Sequence, residues 1–250
     1  MTVKFFKAGA IMNIIKLISQ KSEYLRTAKI PTIAFLGDSV TQGCFEIYQL
    51  GEGIQTIFDP SHAYHAYVAK ILATLFPSAP VNIINAGISG DRAPGGLTRL
   101  TRDVLSHDPD LCVVCFGLND CGAMLDGLDT YKESLTGIFK KLTESGCEVI
   151  FMTPNMMCTD MSPHITVDSF KKVASNCMKR QNDGILDAYV EIGKQTAEKC
   201  GVKICDVYGK WKRMAEYGVD TTSLLANYIN HPTRDMNYLF AYSLVETMFE

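Results

Sequence analysis

Five short apolar runs recur at wide intervals along this chain: "TIAFLG" (32–37), "VNIINAG" (81–87), "LCVVCFG" (111–117), "EVIFMTP" (148–154) and "VKICDVYG" (202–209). Each is rich in β-branched residues and apolar almost throughout, which is the pattern of strands covered on both faces. Between them stand segments with helical spacing: "AYHAYVAKILATLF", "GGLTRLTRDVLS", "YKESLTGIFKKLTES", a long stretch over roughly 166–200, and "MNYLFAYSLVETMF" at the end. Strand and helix alternating in this way predict a doubly wound, five-stranded parallel sheet with helices on both faces, a three-layer α/β/α sandwich. Residues 44–60 fit neither class and read as a long, glycine-containing excursion.

The 250 residues, 47% of them hydrophobic, suffice for one domain with a substantial core. At the N-terminus, "MTVKFFKAGAIMNIIKLISQKSEYLRT" begins like a short signal, but Lys7, Lys16 and Lys21 interrupt each apolar run before it reaches signal or membrane-spanning length. Its spacing from Ile11 to Leu25 predicts an amphipathic helix, so residues 1–30 are expected to form a helical extension ahead of a main domain over 31–250. A cytoplasmic location is expected. The net charge of −3 offers no basic field for phosphate backbones, and nucleic acid is not expected as a partner. Nine cysteines scattered through apolar segments suit reduced, buried thiols better than a disulfide framework. Cys112 and Cys115 in "CVVC" would point to opposite faces of a strand and could not share a metal ion.

In a sheet of this type ligands bind outside the carboxyl ends of the strands. Four of the five runs finish there on polar chemistry: "GDS", "NAGISGD", "FGLND" and "TPN". Ser39, just past the first strand, would present its hydroxyl above the sheet edge, and such a hydroxyl attacks only if a base takes its proton. Serine is also a good helix N-cap, and that role stays open. Among the histidines, His62, His65 and His107 fall in or beside helical segments and His164 lies in "MSPHIT". His231, in "NYINHPTRDM", stands on a loop before the closing helix and is the best candidate base, with a structural hydrogen bond as its other reading. Gly90 and Asn119, beyond two further strand ends, could supply a backbone and an amide donor to a developing oxyanion. Equally, Gly90 could only make a turn and Asn119 only cap its loop.

Taken together, "GDSVTQG", "NAGISGD", "GLND" and "NHP", in that order over residues 37–232, resemble the blocks of the SGNH hydrolases, the GDSL-type esterases and lipases, whose sheet is flavodoxin-like. The resemblance covers nearly all of the chain after residue 30. It implies that Ser39 is the nucleophile, that the Ser39 N–H, the Gly90 N–H and the Asn119 side chain form the oxyanion hole, and that His231 is the general base. It implies no metal or organic cofactor. The pattern breaks at one position: members of the family commonly carry an aspartate three residues before the histidine, and here that residue is Tyr228. Either a backbone carbonyl accepts the His231 Nδ1–H, which is the preferred reading, or Asp235 does.

Asp38 and Asp120 are expected to pin their loops by local hydrogen bonds rather than exchange protons. Arg92 could meet an anionic substrate group or lie solvated on a helix face. The methionines of "FMTPNMM", with Met161, could line an acyl pocket or fill the core, and Phe45, Tyr48 and Phe58 could wall a pocket or pack beneath the molecule. The expected function is hydrolysis of small acyl esters, acetyl esters foremost, through an acyl-enzyme intermediate. The alternatives are a non-catalytic small-ligand binding domain on the same fold, or a nucleotide or phosphate binder, against which stands the lack of a complete Gly-rich phosphate fingerprint.

Overall fold

A computed structural model of the chain describes residues 11–250. The first ten residues of the expected extension, Lys7 among them, lie outside the described residues. The first half comprises helix α1 (Asn13–Glu23), strand β1 (Thr32–Gly37), the single-turn helix α2 (Ser39–Gln42), strands β2 (Cys44–Leu50) and β3 (Gly53–Phe58), α3 (Tyr64–Leu75), β4 (Asn82–Gly87), α4 (Ala93–Asp103) and β5 (Leu111–Cys115). The second half runs through a 3-10 segment (Asp120–Gly127), α5 (Leu128–Glu144), β6 (Glu148–Met152), α6 (Asp168–Asn182), α7 (Ile185–Lys199), β7 (Lys203–Cys205), α8 (Val207–Glu216) and α9 (Met236–Phe249).

Five of these strands form one parallel sheet in the order β4-β1-β5-β6-β7. β1 and β5 are buried at every position, as their continuous apolarity requires. Helices α1, α3 and α9 pack on one face and α4, α5 and α7 on the other, which completes the three layers. The chain winds outward from β1 in both directions, so the switch point lies between β1 and β5, with the crevice above their carboxyl ends. Register brings those ends level: Gly37 stands beside Gly87 on one side and Cys115 on the other.

Glycine ends β1 and β4 because α2 and the neighbouring strand fill the space where a side chain would stand. A Cβ on Gly37 would lie 2.7 Å from the Cys115 carbonyl oxygen, and one on Gly87 would lie 2.2 Å from the Gln42 amide nitrogen. Neither approach leaves room for a side chain, so α2 can fold back over the sheet only above glycine.

Elsewhere the elements depart from the sequence reading in three places. The excursion at 44–60 is an antiparallel hairpin of β2 and β3, lying outside the main sheet. Its outer side chains, Tyr48 and Phe58 among them, are exposed, while Phe45 at its base is buried. The long helical stretch breaks into α6 and α7 at Gly184, whose φ of 73° lies in the left-handed region. The last strand stops at Cys205 because the Asp206 carboxylate accepts from the Gly209 N–H at 3.0 Å and starts α8 there.

The amphipathic N-terminal helix forms with Ile14, Ile15 and Ile18 in the core. Its first amides, of Asn13 and Ile14, donate to the Glu148 carboxylate at the start of β6, at 2.7 and 2.8 Å. Two N–H groups that a helix start would leave unpaired are thereby satisfied.

Candidate active site

The site is built from the loops that leave β1, β4 and β5 and from the segment between α8 and α9. After β1, the Asp38 carboxylate accepts from the Val40 N–H at 3.0 Å and caps α2, so that Ser39 becomes the first residue of a single turn. Gly43, at φ 94°, ends that turn, and its N–H returns to the Ser39 carbonyl at 3.1 Å. The Gln42 side-chain oxygen accepts from the Ser89 N–H at 2.6 Å and ties the turn to the loop after β4. Ser39 is buried.

His231 reaches the serine from a loop organised by Asn227. The Asn227 side-chain oxygen accepts from the backbone N–H groups of Ile229, Asn230 and His231 at 2.9–3.0 Å. The Ala226 N–H donates to the His231 carbonyl at 2.7 Å, and Leu225 bridges Pro232. This tight fold holds Tyr228 at φ 55° and turns its ring onto His164, with centroids 4.9 Å apart. The side chain three residues before the histidine is therefore engaged elsewhere.

The His231 imidazole lies with Nε2 3.0 Å from Ser39 Oγ and Nδ1 2.9 Å from the carbonyl oxygen of Phe45, in β2. A carbonyl can only accept, so Nδ1 carries the hydrogen and Nε2 is free to accept from the serine hydroxyl. Burial holds the imidazole below the usual histidine range, with the Phe45 carbonyl and the Glu46 charge pulling the other way. A neutral ring with its bare nitrogen on the hydroxyl is the state a general base requires.

The Phe45 carbonyl is itself held in place. Arg234, three residues after His231, makes a two-pronged pair with Glu46 (Nη1 to Oε1 2.6 Å, Nη2 to Oε2 3.1 Å) and a third bond from Nε to Asp59 at 2.8 Å. Its guanidinium sits 4.3 Å from the centre of the Phe45 ring. Both strands of the hairpin are thus clamped to the histidine loop by one side chain.

Of the other candidate residues, Asn119 donates from Nδ2 to the Asp91 carbonyl at 3.0 Å and to the Asp38 carboxylate at 3.4 Å. Those bonds join the β5 loop to the Ser39 turn and to the residue after Gly90. Gly90 has φ 77° with open space where a side chain would stand. Asp120 accepts from the Ala93 N–H at 2.8 Å and the Gly117 N–H at 3.0 Å, stapling the β4 and β5 loops together. Burial pushes the Asp38 carboxyl up to about 7 and the Asp120 carboxyl up to about 6, opposed in each case by the backbone N–H groups that they accept from.

Beneath the loops, buried Arg99 donates to the Gly37 and Ala86 carbonyls at 2.9 and 2.6 Å and to the Asp91 carboxylate at 2.7 Å. It levels the ends of β1 and β4. Arg99, Asn227 and Arg234 escaped the sequence reading, because each looks like an ordinary surface polar residue until its partners arrive. Of the methionines, Met152, Met156 and Met157 are core residues, whereas half-exposed Met161 lines a cavity of about 360 Å³ with His164 and Tyr228.

The order of the four blocks has a counterpart at the level of the whole chain: the sequence profile of the GDSL-like Lipase/Acylhydrolase family matches residues 35–238. The chain belongs to that family. It is accordingly a carboxylic ester hydrolase. Among curated relatives, an acetylxylan esterase from Geobacillus stearothermophilus is 26% identical over 166 residues, which is 62% of this chain and 74% of that protein. The fold also matches an α/β hydrolase from the metagenome of Lake Arreo, Spain (TM-score 0.65, 20% identity, 87% of this chain and 94% of that one). A two-domain esterase active on acetylated mannans matches at TM-score 0.67 and 18% identity, over 97% of this chain and 53% of that one.

Proposed function

We propose that this esterase cleaves small acyl esters, acetyl esters foremost, through an acyl-enzyme intermediate formed on Ser39. His231 takes the serine proton at Nε2 as Ser39 Oγ bonds to the acyl carbon, and returns it to the departing alcohol oxygen. Water then attacks the acyl-serine with the same histidine as base and releases the acid. The Ser39 and Gly90 N–H groups are donors for the oxyanion, joined by the Asn119 amide once it gives up its long 3.4 Å bond to Asp38. The base is oriented by a carbonyl instead of a carboxylate, which makes the pair a dyad. The observation that carries this reading is the 3.0 Å approach of His231 Nε2 to Ser39 Oγ, with Nδ1 spoken for by a group that can only accept. Support for acetyl as the acyl group comes from the relatives: the Geobacillus protein is an acetylxylan esterase.

Ser39→Ala tests it. The variant should keep its fold and lose hydrolysis of 4-nitrophenyl acetate by about 10⁴-fold or more. A folded Ser39→Ala protein with parental activity would overturn the assignment. A folded parent that no fluorophosphonate labels would remove Ser39 as the nucleophile.

A further inference from the structure

Arg99, Arg102 and Arg234 are each paired with carboxylates. The other four arginines have no such partner among the described residues, and two of those, Arg92 and Arg180, converge. Arg92 precedes α4 and is exposed, while Arg180 projects half-buried from α6, far away in sequence. Arg180 Nη2 lies 3.6 Å and Arg92 Nη2 lies 3.7 Å from the point that a Cβ would occupy on Gly122. Two guanidinium groups from different elements thus face the same small space, which a glycine leaves open.

The carboxylates close by make no ion pair with them, although Arg92 does feel the Asp120 charge. Asp91 has one oxygen on the Arg92 N–H and the other on Arg99 Nε, and both Asp120 oxygens accept backbone N–H groups. Like charges this close repel, and an anion lying between them removes the repulsion. Arginine's planar fork matches the paired oxygens of carboxylate or phosphate. A small cavity of about 110 Å³ borders Arg92 on the side of Pro94, Asp120 and Ala123, apart from Arg180.

The position matters as much as the charge. Arg92 follows the residue whose carbonyl accepts from the Asn119 amide, and the Gly122 N–H donates to the Asn119 carbonyl at 3.1 Å. At the rise of a 3-10 turn, Gly122 stands roughly 6 Å along the chain from Asn119. A small substrate can span that distance.

We propose that Arg92 and Arg180 form an anion subsite beside the ester-cleaving centre, so that the preferred substrates are esters bearing a carboxylate or phosphate group near the scissile bond. This rests on the esterase reading of the site. It narrows the substrate class from neutral acetyl esters to acidic ones, such as acetylated sugar acids or sugar phosphates.

The test compares kcat/KM at low salt for acetylated glucuronate, acetylated glucose 6-phosphate and acetylated glucose, in the parent and in R92Q/R180Q. At least one anionic substrate should exceed the neutral one by about tenfold in the parent, as a charge-assisted pair implies. That ratio should fall towards one in R92Q/R180Q, and whichever anionic substrate leads identifies carboxylate or phosphate as the group held. Equal values for all three substrates in the parent, or an unchanged ratio in the double variant, would overturn the proposal. As an independent measure of binding, glucuronate and glucose 6-phosphate are also titrated against the melting temperature. Stabilisation of the parent but not of R92Q/R180Q supports the subsite, and stabilisation of neither or of both refutes it. Hydrolysis of 4-nitrophenyl acetate by the parent reports separately on the esterase reading.

Discussion

The Nδ1 of His231 faces the carbonyl oxygen of Phe45 at 2.9 Å. A carbonyl fixes the tautomer and the ring plane as well as a carboxylate does, but it carries no net charge to stabilise the imidazolium that forms when the serine gives up its proton. The orienting group comes from the hairpin that follows the serine turn and not from the histidine's own loop. The rigidity of that hairpin becomes part of the site.

Arg234→Gln should therefore act through the hairpin. Releasing Glu46 and Asp59 lets the Phe45 carbonyl drift, and a displacement on the order of 1 Å costs about 10²-fold in rate. The loss is expected in kcat more than in KM, with Arg234→Lys recovering part of it, and the acid limb of the pH profile should move down because the carbonyl that raises the His231 value is lost. Steady-state kinetics across pH check this, and a loss in stability alone, with kcat and its pH dependence intact, would remove Arg234 from the site.

The pH profile of the parent carries its own expectation. His231 works as a base only when neutral, and burial holds it below the ordinary value of 6.5. Activity should be full above that value and fall only at a lower pH, as the ring takes a proton. An acid limb for kcat/KM centred at or above 6.5 contradicts a buried, neutral ring.

Asn119→Ala removes an amide donor without touching Ser39 or His231. A lost oxyanion donor costs roughly 10²–10³-fold in kcat. The amide also bonds the Asp91 carbonyl, so the melting temperature is recorded alongside; an unchanged kcat would show that the amide only holds the loop.

His65 offers a prediction away from the site. It is buried in α3 against Phe35 with Nε2 unpartnered, and burial lowers its value to about 4 from 6.5. The unfolded chain protonates this ring between those values while the folded chain does not, so the stability it contributes is full above 6.5 and is lost as pH falls towards 4. His65→Phe removes that loss, and its stability relative to the parent should improve by about 2–3 kcal/mol between pH 7 and pH 4.5, measured by urea unfolding. No change in the difference between the two proteins would mean that the ring is hydrated in the folded state.

The strands of the sheet, its doubly wound character and the helices between them were readable from the chain because burial on two faces writes itself as continuous apolarity, and burial on one face as a helical period. The hairpin at 44–58 was not, because most of it packs on nothing and its residues carry no burial pattern. The short β7 was overrun for a different reason: Asp206 starts a helix inside an apolar run, and a single capping bond outweighs the run's appearance.

At the site, the residue types and their order were set out in the sequence: a serine after a glycine-ended strand, a histidine on a late loop, a glycine and an asparagine after two further strands. Those features are local, since each follows from what a strand end or a turn can accommodate. Which atom receives the His231 Nδ1–H, which side chain clamps the hairpin and which two arginines share one space depend on contacts between residues as much as 188 positions apart. Tertiary structure alone decides these, because a hydrogen bond is made by proximity and direction, and no periodicity along the chain records either.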